Sequence, residues 1–455
     1  MANEQITENA PRATWTSKWT FVIAAAASAV GLGNFWRFPY LAAKFGGGTF
    51  LIMYAIFVFT VGISLLLLET SLGRNTGLSV VGAFARINKK SKWLGYLAAA
   101  VPFVIGPYYF VVGGWVCKYV AAYISTSPEI LANGSNYFNA FQHSELSSYV
   151  WLGVFMGLTF LVVAFGVNGG IERGNMIMMP TLIVVAIAIA IYISVQPGSS
   201  EGIKYYFVPD WSVMSPELII NALSQTFYTL SLAMGIMVTY GSYLKRREPL
   251  TKSVCQIGGF SFGVSLIAGA IIVPAAFMAF GTAPTSAGPS LMFITLPQVF
   301  LSMGPVATSM GILFFVLVLF AALTSSISVV ETCVSIFVDN FHMRRSKSII
   351  ILLIYMVLFA AFVNSGYNFL STGRIFGMEF LDFFDFVTNS IMMPIVALAT
   401  CIVVGWVVKP NLLIVEIELS GYFRFKTIWT IMIKYVCPIL ITLILISNVA
   451  TALGD

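Results

Sequence analysis

Apolar residues run through this chain in long, nearly unbroken stretches, separated by short polar and often basic connections. A helix of about 20 apolar residues spans a bilayer, because a backbone in lipid must satisfy its own N–H and C=O groups. The pattern predicts eleven spans, at roughly 17–43, 48–77, 93–126, 149–167, 174–195, 215–244, 254–281, 305–340, 347–369, 381–408 and 428–452. Spans 3 and 8 are long enough to tilt or protrude. The connection from Gly281 to Pro305 is too long for a turn, and Ser290 to Phe300 is expected to form a short helical hairpin on one face. Two spans break the apolar pattern. Span 1 carries Gly31, Gly33 and Asn34 at its middle, with Arg37 one turn on. Glycine lowers helix stability by about 1 kcal/mol relative to Ala, so Gly-x-Gly-Asn is a place for the helix to open. Opened backbone and a charge at membrane depth belong beside a polar cavity rather than lipid. Span 6 places Ser224, Gln225, Thr226, Thr229 and Ser231 in an apolar helix, within the stretch from Ser224 to Gly235.

Composition agrees with a polytopic membrane protein. The 455 residues are 58% hydrophobic and 9% charged, with mean hydropathy +0.91. The net charge of +6 does not point to nucleic acid, because the basic residues sit in loops. Arg86, Lys89, Lys90 and Lys92 follow span 2; Lys245, Arg246 and Arg247 follow span 6; Arg344, Arg345 and Lys347 follow span 8. The loops after spans 3 and 7 carry no Lys or Arg. The positive-inside rule puts the N-terminus in the cytoplasm of a cell-membrane protein and, with an odd span number, the C-terminus outside. Residues 1–18 read as a polar cytoplasmic segment without a signal peptide's apolar core. Five cysteines without Cys-x-x-Cys spacing and two histidines in loops give no disulfide framework, zinc site or catalytic cluster.

Spans 1 and 6 would each open one of two five-helix halves, and interrupted helices at matching places in two repeats point to a transporter's midplane site. A broken helix offers N–H groups and a positive dipole end to an anion, and carbonyls with a negative end to a cation. An amino acid carries both charges, and Na⁺, a hard cation, takes carbonyl, hydroxyl and amide oxygens. Phosphates and sugars would call for cationic or carboxylate side chains that these spans lack.

The run Val30-Gly31-Leu32-Gly33-Asn34-Phe35-x-Arg37-Phe38-Pro39 resembles the first-helix signature of the neurotransmitter:sodium symporters, and the similarity extends over about residues 12–410. The resemblance implies an all-α polytopic fold of the leucine-transporter type, a 5+5 inverted repeat with helices 1 and 6 broken. The repeats would cover about 19–195 and 215–408 within a core of 19–410, with a linker and eleventh helix at 411–455; twelve is the commoner family number. By the same resemblance a first Na⁺ would meet Ala29, Asn34, Thr229 and Ser261, where the family pattern prefers Asn at the last position. A second Na⁺ would meet Ala27, Val30, Ala321, Thr324 and Ser325. The substrate carboxylate would meet the N–H groups of Leu32 and Gly33 and the hydroxyl of Tyr109; the ammonium would meet carbonyls of Ala29, Tyr228 and Ser231 and the hydroxyl of Thr229.

The substrate side chain would face Ile105, Tyr109, Tyr228, Ser231, Met234, Ser325 and Val329, apolar but for the two serines and the tyrosine hydroxyls and with no carboxylate for a biogenic amine, so a hydrophobic or aromatic L-amino acid is expected. Arg37 and Asp385 resemble the outer ion-pair gate, with Tyr109 and Tyr228 as a lid. Arg12 and Asp339 resemble the inner pair, with Trp15 and Tyr243 nearby. Gly170 and Pro180 match a spacing that some members use to unwind helix 5. A chloride would sit by Tyr54, Gln225, Thr229 and Ser265; otherwise Glu69, an acid in span 2, would supply the charge. The expected function is Na⁺:amino-acid symport by alternating access. A proton-coupled transporter of the same fold is the alternative, with Glu69 as the proton carrier. A membrane enzyme lacks a reactive cluster here, and a channel lacks a continuous polar face.

Overall fold

The computed structural model describes residues 13–454, with side chains to Thr451. Among them, nine helices are long and apolar enough to cross a membrane: Gly48–Thr76 (span 2), Lys89–Ser125 (span 3), Ser147–Ala164 (span 4), Val167–Ser194 (span 5), Leu250–Phe280 (span 7), Gly304–Phe341 (span 8), Arg345–Ser365 (span 9), Phe380–Val407 (span 10) and Lys426–Thr451 (span 11). A tenth is a bent pair, Lys18–Ala29 and Leu32–Lys44, whose axes differ by 61° (span 1). The segment expected as span 6 is two short helices, Pro216–Thr229 and Ile236–Ser242, joined by non-helical 230–235.

Both interruptions have local causes. Span 1 stops at Ala29 because Val30 and Gly31 are extended, at φ −95° and −129°. The Gly31 N–H then donates to Asn34 Oδ1 at 2.9 Å instead of continuing the helix, so the asparagine side chain starts the second half. Gly33 is required by a close approach, since a Cβ there would overlap the Tyr228 ring. In span 6, Ser231 and Ala233 adopt positive φ, 50° and 61°, ahead of Gly235 at 72°. Non-glycine residues in this region cost about 1–3 kcal/mol each, and specific partners hold them. The Ala233 N–H donates to Glu69 Oε1 at 2.7 Å, and the Ser231 hydroxyl donates to the Ser28 carbonyl at 3.0 Å. The second of these bonds joins the two breaks directly.

Spans 3 and 8 pack extensively on each other, and span 2 packs on both halves of span 6, chiefly the second. Small residues permit the latter contact: a Cβ on Gly73 or Gly241 would strike the backbone of Val238 or Thr70. Span 3 is 72% buried over its most apolar window, whereas spans 5 and 11 are 28% and 22% buried. The first is a central pillar, and the other two present apolar side chains outward, as lipid contact requires. The hairpin expected between spans 7 and 8 is an apolar helix, Gly288–Ser302, turned into span 8 at Gly304. Span 5 begins earlier than expected and is not unwound between Gly170 and Pro180. A π-helical turn, Val167–Glu172, absorbs Gly170, and Pro180 lies inside the helix that follows. Short helices Val80–Ile87, Ser199–Phe207 and Asn411–Glu418 were not expected, being too short for the spanning pattern to register.

Candidate functional site

A cavity with a water-accessible volume of about 50 Å³ lies between the two breaks. Ala29, Leu32, Gly33, Ile105, Tyr109, Tyr228, Ser231, Met234, Ser325 and Val329 line it, as expected for the substrate set, and so do Ser28, Tyr108 and Asn389, which sequence reasoning missed. Thr229 is not in the lining. Its hydroxyl is turned away, donating to the Gln225 carbonyl at 2.8 Å and lying 2.8 Å from the Tyr54 hydroxyl. The Tyr109 hydroxyl is buried beside the Ser325 side chain and the Leu32 backbone and makes no well-formed hydrogen bond. A buried hydroxyl without a well-formed bond is destabilising, and its O–H can donate to an anionic ligand at the break.

Around the break of span 1 the oxygens cluster. A helix end leaves its last carbonyls without intrahelical partners, and the Gly31 N–H, turned to Asn34, does not return to Ala27. The Ser325 hydroxyl lies 3.2 Å from the Ser28 carbonyl and 3.3 Å from that of Val30, and Thr324 Oγ1 lies 3.1 Å from the Ala321 carbonyl. Span 8 thus brings the Ser325 hydroxyl to the open end of the first half of span 1, with Thr324 one residue earlier bonded within its own helix. On the other side, Asn34 Nδ2 donates to Ser265 Oγ at 2.8 Å, and Ser261 Oγ donates to the Thr229 carbonyl at 3.1 Å. The ends of the first halves of spans 1 and 6, at Ala29 and Thr229, offer neutral oxygens at the negative end of a helix dipole, a donor set that fits Na⁺.

Beside Asn34, Ser265 lies 3.1 Å from the Tyr54 hydroxyl, and Gln225 Nε2 donates to the Gly33 carbonyl at 3.3 Å. Tyr54, Gln225, Thr229 and Ser265 therefore form one buried cluster of hydroxyl and amide groups. Glu69 is used elsewhere, since its carboxylate holds the Ala233 N–H in the break of span 6.

The pairs expected as gates differ. Arg37 stacks over the Tyr228 ring, 5.3 Å from its centroid, and among the described residues it makes no ion pair with Asp385. Asp385 instead accepts from Asn389 Nδ2 at 2.6 Å. On the opposite side, Trp15 docks on the end of span 6: its indole N–H donates to the Tyr240 carbonyl and its backbone N–H to the Tyr243 carbonyl, both at 3.0 Å. Asp339 accepts from the Ser79 N–H at 2.5 Å, and Arg12 lies outside the described residues.

Comparison with known proteins decides the family. Residues 12–146 and 142–453 match the profile of the Sodium:neurotransmitter symporter family. The chain belongs to that family. It is 34% identical to an uncharacterized sodium-dependent transporter of Haemophilus influenzae over 97% of this chain and 99% of that protein. A second such transporter, from Bacillus subtilis, is 35% identical over 95% and 97%. Among solved structures, MhsT in complex with L-phenylalanine superposes with a TM-score of 0.86 at 33% identity, covering 96% of this chain and 100% of MhsT. This symporter is therefore an all-α membrane protein of the leucine-transporter fold, a sodium-dependent carrier of a small molecule and not an enzyme.

One buried charge network in the symporter was not anticipated. Glu331 of span 8, fully buried, accepts from the Tyr243 hydroxyl at 2.8 Å and from two Arg345 nitrogens at 2.9 and 2.5 Å. The signal was an acid inside an apolar span, which membrane depth makes informative; its partner came from a loop cluster read only for topology. Asn389 was equally visible, one helical turn after Asp385 and so on the same face.

Proposed function

We propose that this symporter couples the entry of hydrophobic or aromatic L-amino acids to Na⁺ by alternating access. The observation that carries the reading is the cavity itself: apolar walls at Ile105, Met234 and Val329, closed at one end by the two helix breaks and the Tyr109 hydroxyl. Such a cavity takes an apolar side chain while the breaks hold its headgroup charges. Binding of L-phenylalanine by MhsT, similar along the whole chain, supports the same class. One Na⁺ would be held by Ala29, Asn34, Thr229 and Ser261 and another by Ala27, Val30, Ala321, Thr324 and Ser325. Sodium supplies positive charge beside the carboxylate and between spans 1 and 8. The residues hold the headgroup, and Tyr109 and Tyr228 cover it. Chloride is favoured over Glu69 as the counter-charge, because Glu69 is bound to the span 6 backbone while Tyr54, Gln225 and Ser265 converge near Asn34. We further take 215–244 as one broken span, which makes eleven, with the N-terminus cytoplasmic in the cell membrane and the core repeats at 19–195 and 215–408.

Uptake of labelled amino acids into proteoliposomes tests this. Phenylalanine and leucine should accumulate under an inward Na⁺ gradient and not under a pH gradient alone. Accumulation driven equally by a pH gradient without sodium would refute sodium coupling.

A further inference from the structure

One polar group of the cavity is not used by an amino acid's headgroup. Asn389 sits in a π-helical turn, Phe386–Met392, of span 10, and such turns are frequent at functional sites. It lines the cavity with Tyr108, Tyr109 and Tyr228. Its amide orientation is set by its neighbours: Nδ2 donates to Asp385 Oδ1 at 2.6 Å and to the Tyr108 hydroxyl at 3.3 Å. A carboxylate accepts only, so the NH₂ end must face Asp385 and the carbonyl end is left over. That carbonyl oxygen, Oδ1, is buried without a hydrogen-bond partner. The other buried atoms of the lining without a well-formed hydrogen bond are the hydroxyls of Ser28 and Tyr109, which can donate to a carboxylate. Asn389 Oδ1 can only accept, and Ile105, Met234 and Val329 offer it no donor.

We infer that Asn389 is a specificity-determining residue: the symporter prefers amino acids whose otherwise apolar side chain carries an N–H or O–H donor, an indole or a phenol, over hydrocarbon side chains of similar size. The inference rests on the amino-acid reading above and sharpens it. A site with a buried hydrogen-bonding group discriminates against the analogue that leaves it unpaired far more strongly than an apolar pocket discriminates by size. Phenylalanine would then still bind, with Oδ1 unsatisfied.

The test is displacement of labelled phenylalanine from the purified full-length protein in sodium buffer. The competitors are tyrosine against phenylalanine, and tryptophan against its benzothienyl analogue, which keeps the ring shape and lacks the N–H. Each donor-bearing ligand should displace at concentrations roughly tenfold lower than its partner, the ratio expected for one neutral hydrogen bond. In Asn389→Leu both ratios should fall to about one, and because each ratio is taken within one variant, changes at Asp385 cancel. Wild-type ratios near one overturn the inference whether or not the variant folds, and so do ratios that survive in Asn389→Leu. Absence of any sodium-dependent phenylalanine binding overturns the amino-acid reading, and this inference with it; sodium-dependent binding with flat ratios overturns this inference alone.

Discussion

Replacing Tyr109 by Phe removes one oxygen that makes no well-formed hydrogen bond in the protein, beside Ser325 and the Leu32 backbone. The hydroxyl is buried, and Tyr109 lies in the cavity wall beside the break of span 1, where a Cβ on Gly31 would come within 3.3 Å of it. Without ligand the change should cost little, because no well-formed hydrogen bond is lost. With ligand it deletes a hydrogen bond to a carboxylate, worth about 1.5–3 kcal/mol. At about 1.4 kcal/mol per tenfold in affinity, that is roughly a 10- to 150-fold rise in Kd. Thermal unfolding in detergent reads the first effect and equilibrium binding of labelled phenylalanine the second. The two should diverge, with stability kept while affinity falls. The decarboxylated amine should bind weakly to the wild type and be indifferent to the substitution. Equal affinity of wild-type protein for the amino acid and its amine would refute the carboxylate model, and a loss of affinity matched by a loss of stability would mean that the hydroxyl was structural after all.

Three further outcomes are expected. Thr324→Ala with Ser325→Ala removes the two span 8 hydroxyls proposed for the second sodium, of which Ser325 lies against the Val30 carbonyl, so half-maximal uptake should need several-fold more Na⁺; an unchanged sodium titration would sink the second-site assignment. Exchanging chloride for gluconate on both sides of the membrane should slow uptake, and Ser265→Asp, which puts a carboxylate in the Tyr54 and Asn34 cluster, should remove that sensitivity; a wild-type rate indifferent to the exchange excludes obligatory chloride. Arg345→Met leaves Glu331, fully buried, without its cation, and should destabilise the protein by roughly 3 kcal/mol. Adding Glu331→Gln should recover most of that loss, and a thermal midpoint equal to wild type in the single variant would show that water or Tyr243 suffices.

Length, apolar runs and loop charges determined by themselves that this is a polytopic helical membrane protein, because the cost of bare backbone in lipid leaves few other solutions for such a chain. The glycine, asparagine and hydroxyl residues of spans 1 and 6 likewise marked where helices open, since those are local conformational preferences. The ends and short connecting helices were less legible, as with Val80–Ile87 and the early start of span 5 at Val167: a π-turn or an eight-residue helix leaves no periodic signal. What only the tertiary structure decided was which polar groups meet. Glu69 reaches Ala233, Ser325 reaches Val30, and Glu331 reaches Tyr243, all across large separations in the chain, and Glu331 also binds Arg345 from the start of the next span. Arg37 and Asp385, matched by motif, lie near each other without a direct ion pair, because Asp385 is bound by Asn389 and Arg37 stacks on the Tyr228 ring. A side chain in a membrane interior takes whichever partner helix packing brings within about 3 Å, and that choice depends on how the helices cross, not on the order of residues along any one of them.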